Sequence, residues 1–136
     1  MAKYNWKSTY VMYASPEDVF EAFTDPGIIE LWGGGLSVVE SVVGGKFELF
    51  DGWVKGEVTH FLLDKELGFT WKPTEWEKRT KPSQVHIRFM PHPAGTDLVL
   101  EHTDFPSKEE CDKHGNGWVD FVLDPMNDYF TMEKEK

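Results

Sequence analysis

The middle of the chain alternates apolar and polar residues in a pattern that predicts an antiparallel β-meander. Residues 46–50 and 53–61 alternate in this way, and the run 67–71 repeats the pattern after a polar break. Such alternation is typical of strands with one buried and one solvent-facing side. Asp51 and Gly52 separate the first two runs, and Asp-Gly is a strong hairpin signal because both turn positions require positive φ. The pattern therefore predicts an antiparallel sheet whose inner face has to be covered by another element.

Strands are also predicted on both sides of the meander. Residues 4–13 are rich in Tyr, Thr, Val and Trp, which favour extended backbone. The run 36–43 ends at a pair of glycines, 85–89 alternates again, and 96–103 is the last candidate. Together with the meander, these runs predict about seven strands, an ordinary number for one curved sheet.

Two short helices are predicted between the first two strands. Ser15 before Pro16 is typical of a helix start, because serine caps the helix and proline fits its first position. A second helical turn is expected over residues 27–32, and the three glycines at 33–35 end it. A phosphate-binding glycine loop would need a following helix and a lysine or serine partner, and the sequence offers neither.

The C-terminal part of the chain changes to a helical period. Ser107 and Glu110 have the spacing of a capping box. Pro125 lies inside the apolar stripe that follows and removes one helical hydrogen bond, so we expect a kink or a tighter segment there. The Gly-x-Gly of residues 115–117 is an alternative break point. The stripe recurs at spacings of three and four over about four turns and consists of Trp118, Phe121, Val122, Met126, Tyr129 and Phe130.

Short motifs in this order of elements point to a known family. They are residues 14–24, Gly44-Gly45-Lys46-Phe47, Gly56-Glu57-Val58, Phe69-Thr70-Trp71, Gly95-Thr96 with Leu98 and Leu100, His102-Thr103-Asp104-Phe105, and Gly117-Trp118. The motifs resemble the START-like (SRPBCC) superfamily and, within it, the family named for the activator of the heat-shock protein 90 ATPase. The resemblance implies an α+β helix-grip fold over a single domain, residues 1–136. In that fold a curved antiparallel sheet of about seven strands carries two short helices, and one long C-terminal helix packs on its concave face.

Composition and charge narrow the possible partners. The chain has six Trp, ten Phe and four Tyr, enough either to fill a core or to line an apolar cavity. Its net charge is −10, and its only basic cluster is Lys78, Arg79 and Lys81. Nucleic acids and anionic membrane surfaces are disfavoured, because both are bound by clustered Lys and Arg. The lone Cys111, the absence of an apolar leader and the absence of a run of ~18 apolar residues predict a cytoplasmic protein, and we expect a monomer.

Strand parity selects the residues expected to face the cavity. If Leu100 and Val58 point inward, His102 and His60 do so as well, and either histidine could be a general base or hydrogen-bond a ligand. The alternative is that each is an ordinary hydrogen-bonded core histidine. We assign no catalytic residue. The predicted ligand-binding residues are Trp32, Phe47, His60, Phe69, Trp71, Phe89, His102, Trp118, Phe121 and Met126.

Metal and cofactor chemistry are not expected. Cys111 and His114 could form half of a zinc site, but no further ligands have suitable spacing. Both residues are expected in a charged cap region, away from the inner face. The sequence thus favours a module that binds an apolar small molecule, either lipid-like, polyketide or aromatic. The alternatives are a chaperone-interacting domain, as the resemblance implies, and a cyclase- or hydrolase-like enzyme that uses an inner histidine.

Overall fold

The computed structural model describes residues 4–134. The strands are β1 (Tyr4–Met12), β2 (Val38–Val39), β3 (Lys46–Leu49), β4 (Val54–Leu62), β5 (Glu66–Pro73), β6 (Ser83–His92) and β7 (Gly95–Phe105). The helices are α1 (Pro16–Thr24), α2 (Pro26–Gly33), α3 (Lys108–Trp118) and α4 (Asp124–Lys134), and a π-helical segment (Val119–Leu123) connects the last two.

All seven strands form one antiparallel sheet in the order β1-β7-β6-β5-β4-β3-β2. Both short helices lie between β1 and β2 in the chain, and the long C-terminal helix follows β7. The predicted α+β helix-grip architecture is therefore confirmed. The first helix begins as its sequence predicts, because the Ser15 side chain accepts a hydrogen bond from the Asp18 amide and Pro16 occupies the first turn.

Two local predictions around β2 and β3 were wrong. The run 36–43 forms only a two-residue strand, which pairs with Glu48 and Phe47. A turn closes directly after it, with the Val42 amide bonded to the Glu40 carbonyl, so the other apolar residues of the run find no strand partner. The Asp-Gly hairpin is also longer than two residues. Its connection spans residues 50–53, and φ is positive at three successive positions.

The C-terminal helix widens before its proline, where a kink or a tighter segment was expected. Within the π-helical segment, the Asp124 amide bonds the Val119 carbonyl five residues earlier. A proline has no amide hydrogen, and its ring crowds the carbonyl four residues before it, so a wider turn accommodates Pro125. The glycines at 115 and 117 do not break the helix, because both lie inside α3.

The core fills the space between α1 and the sheet with aromatic side chains. Phe20 and Phe23 of α1 contact Phe89 of β6 edge to face, at centroid distances of 5.2 and 5.8 Å. Phe47 and Phe69 stack at 3.8 Å in the meander itself. Most of the concave face is therefore packed with protein side chains. Across residues 4–134, none of the helices combines the length and apolar character needed to cross a bilayer.

Candidate functional site

One end of the concave face is open and forms a cavity of about 410 Å³. The cavity lies between α2, the loop of residues 50–53, strand β5 and the C-terminal helix. Four of the six tryptophans line it, so aromatic side chains form more than half of its wall. The lining residues are Trp32, Gly33, Phe50, Trp53, Trp71, Lys113, His114, Gly117, Trp118, Phe121, Val122 and Pro125.

Two glycines keep this space free of side chains. A Cβ added at Gly117 would have Phe121 Cδ2, at 3.9 Å, as its only near neighbour. A Cβ at Gly33 would have Phe50 Cε1 at 3.5 Å, which is also ordinary contact. Larger side chains at either position would occupy the cavity. The mouth is marked by Phe121, which is 67% exposed although it is aromatic.

The tryptophan at the back of the cavity is held through His114. Trp71 donates its indole N–H to His114 Nε2 at 3.0 Å, and His114 Nδ1 lies 2.9 Å from the Glu110 carbonyl oxygen. Because an indole N–H can only donate, Nε2 must accept, and the neutral ring carries its proton on Nδ1. Burial is the main cause that lowers the pKa of His114 from 6.5, which is consistent with this neutral form.

A second histidine holds Trp118 in the same way. Trp118 donates its indole N–H to His102 Nδ1 at 2.9 Å. His102 Nε2–H then donates to Ser83 Oγ at 2.6 Å, and the hydroxyl donates to the Trp71 carbonyl at 3.0 Å. Burial, and secondarily His114, lower the pKa of His102 well below 6.5. Both ring nitrogens of His102 are thus bonded within the protein, and His102 lies behind the cavity wall.

Four predicted site residues line the cavity, namely Trp32, Trp71, Trp118 and Phe121. Trp32 is fixed there because its indole N–H donates to the Ala22 carbonyl at 2.8 Å. The other inward-facing candidates are buried in the protein core and do not reach the cavity. These core residues are Phe47, Phe69, Phe89, His102 and Met126.

The prediction that His60 faces inward was wrong. Strand β4 has a β-bulge after Val58, so that Val58 pairs with Phe69 while His60 pairs with the preceding residue, Gly68. The extra residue, Thr59, reverses the parity of the strand beyond it. His60 is consequently exposed on the opposite face of the sheet, with its ring centroid 5.4 Å from that of His86.

The expected place of His114 was also wrong, since it is buried in the cavity wall. Its position four residues before Trp118 puts both on one helix face, so the helical period contained the necessary signal. Phe50 and Trp53 were missed because they belong to the hairpin connection, whose length was not predicted. Lys113 is the only charged residue among the described lining residues.

Comparison with known proteins supports one family. The family model described as "Activator of Hsp90 ATPase homolog 1-like protein" matches residues 13–131. The mouse protein "Activator of 90 kDa heat shock protein ATPase homolog 1" is 25% identical over 128 residues, which cover 94% of this chain and 37% of the mouse protein. The chain therefore spans little more than a third of the length of this curated relative.

Similar solved structures support the same family. The Plasmodium falciparum protein PFC0360w, described as an HSP90 activator, superimposes with a TM-score of 0.83 and is 30% identical, covering 93% of this chain and 96% of that one. DynU16, a protein of the dynemicin biosynthetic locus, superimposes with a TM-score of 0.80 at 21% identity and shows the shared fold. That match covers 96% of this chain and 48% of DynU16. The chain therefore belongs to the activator of Hsp90 ATPase homolog 1-like family, within the START-like (SRPBCC) superfamily.

Proposed function

We propose that the protein binds an apolar, aromatic small molecule in the cavity beside the C-terminal helix. The observation that carries the proposal is a cavity of about 410 Å³ walled by four tryptophans and two phenylalanines. This volume lies within the range of ligand sites, which are concave and mostly apolar. Aromatic faces stack favourably on a flat ring system, so a ligand of two or three fused rings suits this wall.

The tryptophan hydrogen bonds support the same proposal. The N–H groups of Trp32, Trp71 and Trp118 are each donated to a protein acceptor. These three indoles are thus fixed in position and can offer their faces to a ligand without losing a hydrogen bond. Preorganised walls reduce the entropy lost on binding. At roughly 0.3 kcal/mol per heavy atom, a ligand of about 20 atoms would bind with a Kd of some tens of micromolar.

A thermal-shift screen followed by calorimetry tests the proposal. A panel of fused-ring aromatics, aromatic polyketides and fatty acids would be titrated against the purified protein. A ligand present at 100 times its Kd should stabilise the native state by about 2.7 kcal/mol and raise Tm by roughly 10 °C. If no member of the panel raises Tm or gives heat at millimolar concentration, the proposal is wrong.

A matched pair of variants locates the site. Gly117→Leu places a side chain in the cavity and should weaken binding at least tenfold. Asn116→Leu adds the same side chain to the exposed side of α3, where residue 116 does not line the cavity, and should leave the affinity unchanged. Equal affinity in the two variants would place the ligand elsewhere.

A second candidate function is binding to an Hsp90-type chaperone. It rests on the names of the mouse and Plasmodium proteins, and the latter matches this chain over 96% of its own length. The acidic chain, with a net charge of −10, supports an encounter with a basic surface. Under this candidate, the chaperone's ATPase rate should change when the protein is added, and the effect should weaken as salt is raised from 0.05 to 0.5 M.

The cavity variant separates the two candidates. Gly117→Leu changes the cavity but leaves the exposed acidic residues in place, so a chaperone effect should survive this substitution. Co-sedimentation and ATPase measurements would use the Hsp90 of the same organism. If the protein neither binds the chaperone nor changes its ATPase rate, the chaperone candidate is excluded, whatever the outcome of the ligand screen.

A further inference from the structure

We infer that the cavity selects an aromatic ligand that carries a carboxylate or a similar anionic acceptor. This inference rests on the proposed ligand-binding function and specifies its chemical class. The argument starts from the polar atoms that the described lining side chains offer. Ten of the twelve lining residues have no polar side-chain atom beyond an indole N–H, and the other two are Lys113 and His114.

The lining side chains provide donors and no free acceptor. The one nitrogen that could accept, His114 Nε2, already receives the N–H of Trp71, while Nδ1 is bonded to the Glu110 carbonyl. Because burial lowers the pKa of His114, the ring stays neutral near pH 7 and contributes no charge. A ligand hydroxyl or ammonium group would therefore meet no side-chain acceptor in the described wall.

Two donors remain available to a ligand. Trp32, Trp71 and Trp118 use their N–H groups within the protein, whereas the N–H of Trp53 has no acceptor among residues 4–134. Lys113 supplies the only charged group of the described wall. A ligand group that suits an ammonium donor best is a carboxylate, because charge-assisted hydrogen bonds are the stronger ones, and a carboxylate oxygen can accept from an indole N–H as well.

Lys113 is not committed to another strong interaction. Its Nζ lies 3.7 Å from Glu75 Oε1, and the two side chains are 61% and 51% exposed. Ion pairs as exposed as this contribute little and are exchanged readily. Glu75 therefore competes weakly with an anionic ligand for the lysine, and its removal should strengthen anion binding.

The overall charge of the chain makes the inference testable. With a net charge of −10, the protein as a whole attracts cations and repels anions. General electrostatics would thus favour a cationic ligand over its neutral and anionic analogues. A preference for the anion would have to come from a local positive charge, and Lys113 is the only one among the described lining residues.

The experiment compares three probes on one aromatic scaffold by calorimetry at pH 7.5. The probes are 1-naphthylacetate, 1-naphthylacetamide and 2-(1-naphthyl)ethylammonium. The carboxylate should bind three- to tenfold more tightly than the amide, and the ammonium most weakly. The preference for the carboxylate should shrink at 0.5 M salt, because the Lys113 side chain is solvent-exposed and salt screens its charge.

Single substitutions assign the preference to its source. Lys113→Gln should bring the carboxylate to the affinity of the amide while leaving the amide unchanged, and Glu75→Gln should strengthen carboxylate binding about twofold. Lys108→Gln is the matched control, since Lys108 lies on the same helix outside the cavity and pairs with Asp112. It should preserve the preference.

The two proposals fail in different ways. Equal affinity for carboxylate and amide, or a preference that survives Lys113→Gln, would overturn the anionic selectivity while binding itself stands. If none of the three probes binds, both the anionic selectivity and the proposed binding of aromatic ligands in this cavity are overturned.

Discussion

Two glycines of α3 that lie two positions apart should respond to the same substitution with opposite changes in stability. In a helix interior, Gly→Ala stabilises by roughly 0.5–1 kcal/mol, because alanine loses less backbone freedom on folding. At Gly117 the new methyl would meet only Phe121 Cδ2, at 3.9 Å. This is ordinary van der Waals contact, so the full gain of about 1 kcal/mol should appear in the free energy of unfolding.

At Gly115 the same methyl would overlap Trp6. It would lie 2.7 Å from Nε1 and 2.9 Å from Cδ1 of the indole, so the half-buried ring would have to shift by up to about 1 Å. Overpacking of this kind costs about 1–3 kcal/mol, which exceeds the helical gain. We expect Gly115→Ala to destabilise by about 1 kcal/mol, and therefore a difference of about 2 kcal/mol between the two variants.

Equilibrium urea unfolding, followed by tryptophan fluorescence and by far-ultraviolet circular dichroism, measures this difference. With an m-value of about 2 kcal/mol per molar urea, the two midpoints should differ by about 1 M. The use of two probes checks that each transition is two-state. If Gly115→Ala proves as stable as Gly117→Ala, the close approach of α3 to Trp6 is not a constraint and the reasoning is refuted.

Three further measurements test the hydrogen bonds that hold the site. Because burial lowers the pKa of both His102 and His114 in the folded protein, the unfolded chain binds protons below pH 6.5 that the folded chain does not; each histidine should lower stability by up to about 1.4 kcal/mol per pH unit, and a flat profile from pH 7 to 5.5 in urea unfolding would contradict this. Ser83→Ala leaves the His102 N–H without its acceptor and should cost about 1–3 kcal/mol in the same assay, whereas an unchanged midpoint would argue against the bond. Tyr10, whose pKa burial and the bond to Asp124 raise to about 12, should ionise at a lower pH in Asp124→Ala by ultraviolet titration, although burial should still hold its pKa above the ordinary value of 10, and an unmoved value would exclude the bond as a cause.

Local sequence rules were sufficient for most of the sheet. The inward row of the meander follows from period-two alternation, and Phe47, Phe69 and Trp71 are all buried as predicted. The cap at Ser15 follows from side-chain chemistry that acts over three residues. These features depend on near neighbours in the chain, which is why a single sequence contains them.

Features that depend on one residue more or less in a strand or turn were not predictable in this way. The bulge at Thr59 moved His60 to the other face, and nothing in the local alternation distinguishes a bulged strand from a regular one. The hairpin connection gained Phe50 and Trp53 for the same reason, and these two became cavity residues. The cavity itself depends on the absence of side chains at positions that only the packed fold brings together.

The roles of the two buried histidines follow from what the tryptophans need. An indole buried at a cavity wall must place its N–H, and a neutral histidine nitrogen is an acceptor that can itself be buried. His102 and His114 fill this role for Trp118 and Trp71, which leaves both indole faces apolar toward the cavity. The bonds that fix the two indoles also use the acceptor nitrogens of the histidines, so these nitrogens are not available to a ligand. An apolar wall and the proposed preference for acceptor-bearing ligands would therefore both follow from one arrangement, and a ligand without an acceptor group that binds as tightly as the carboxylate would contradict this.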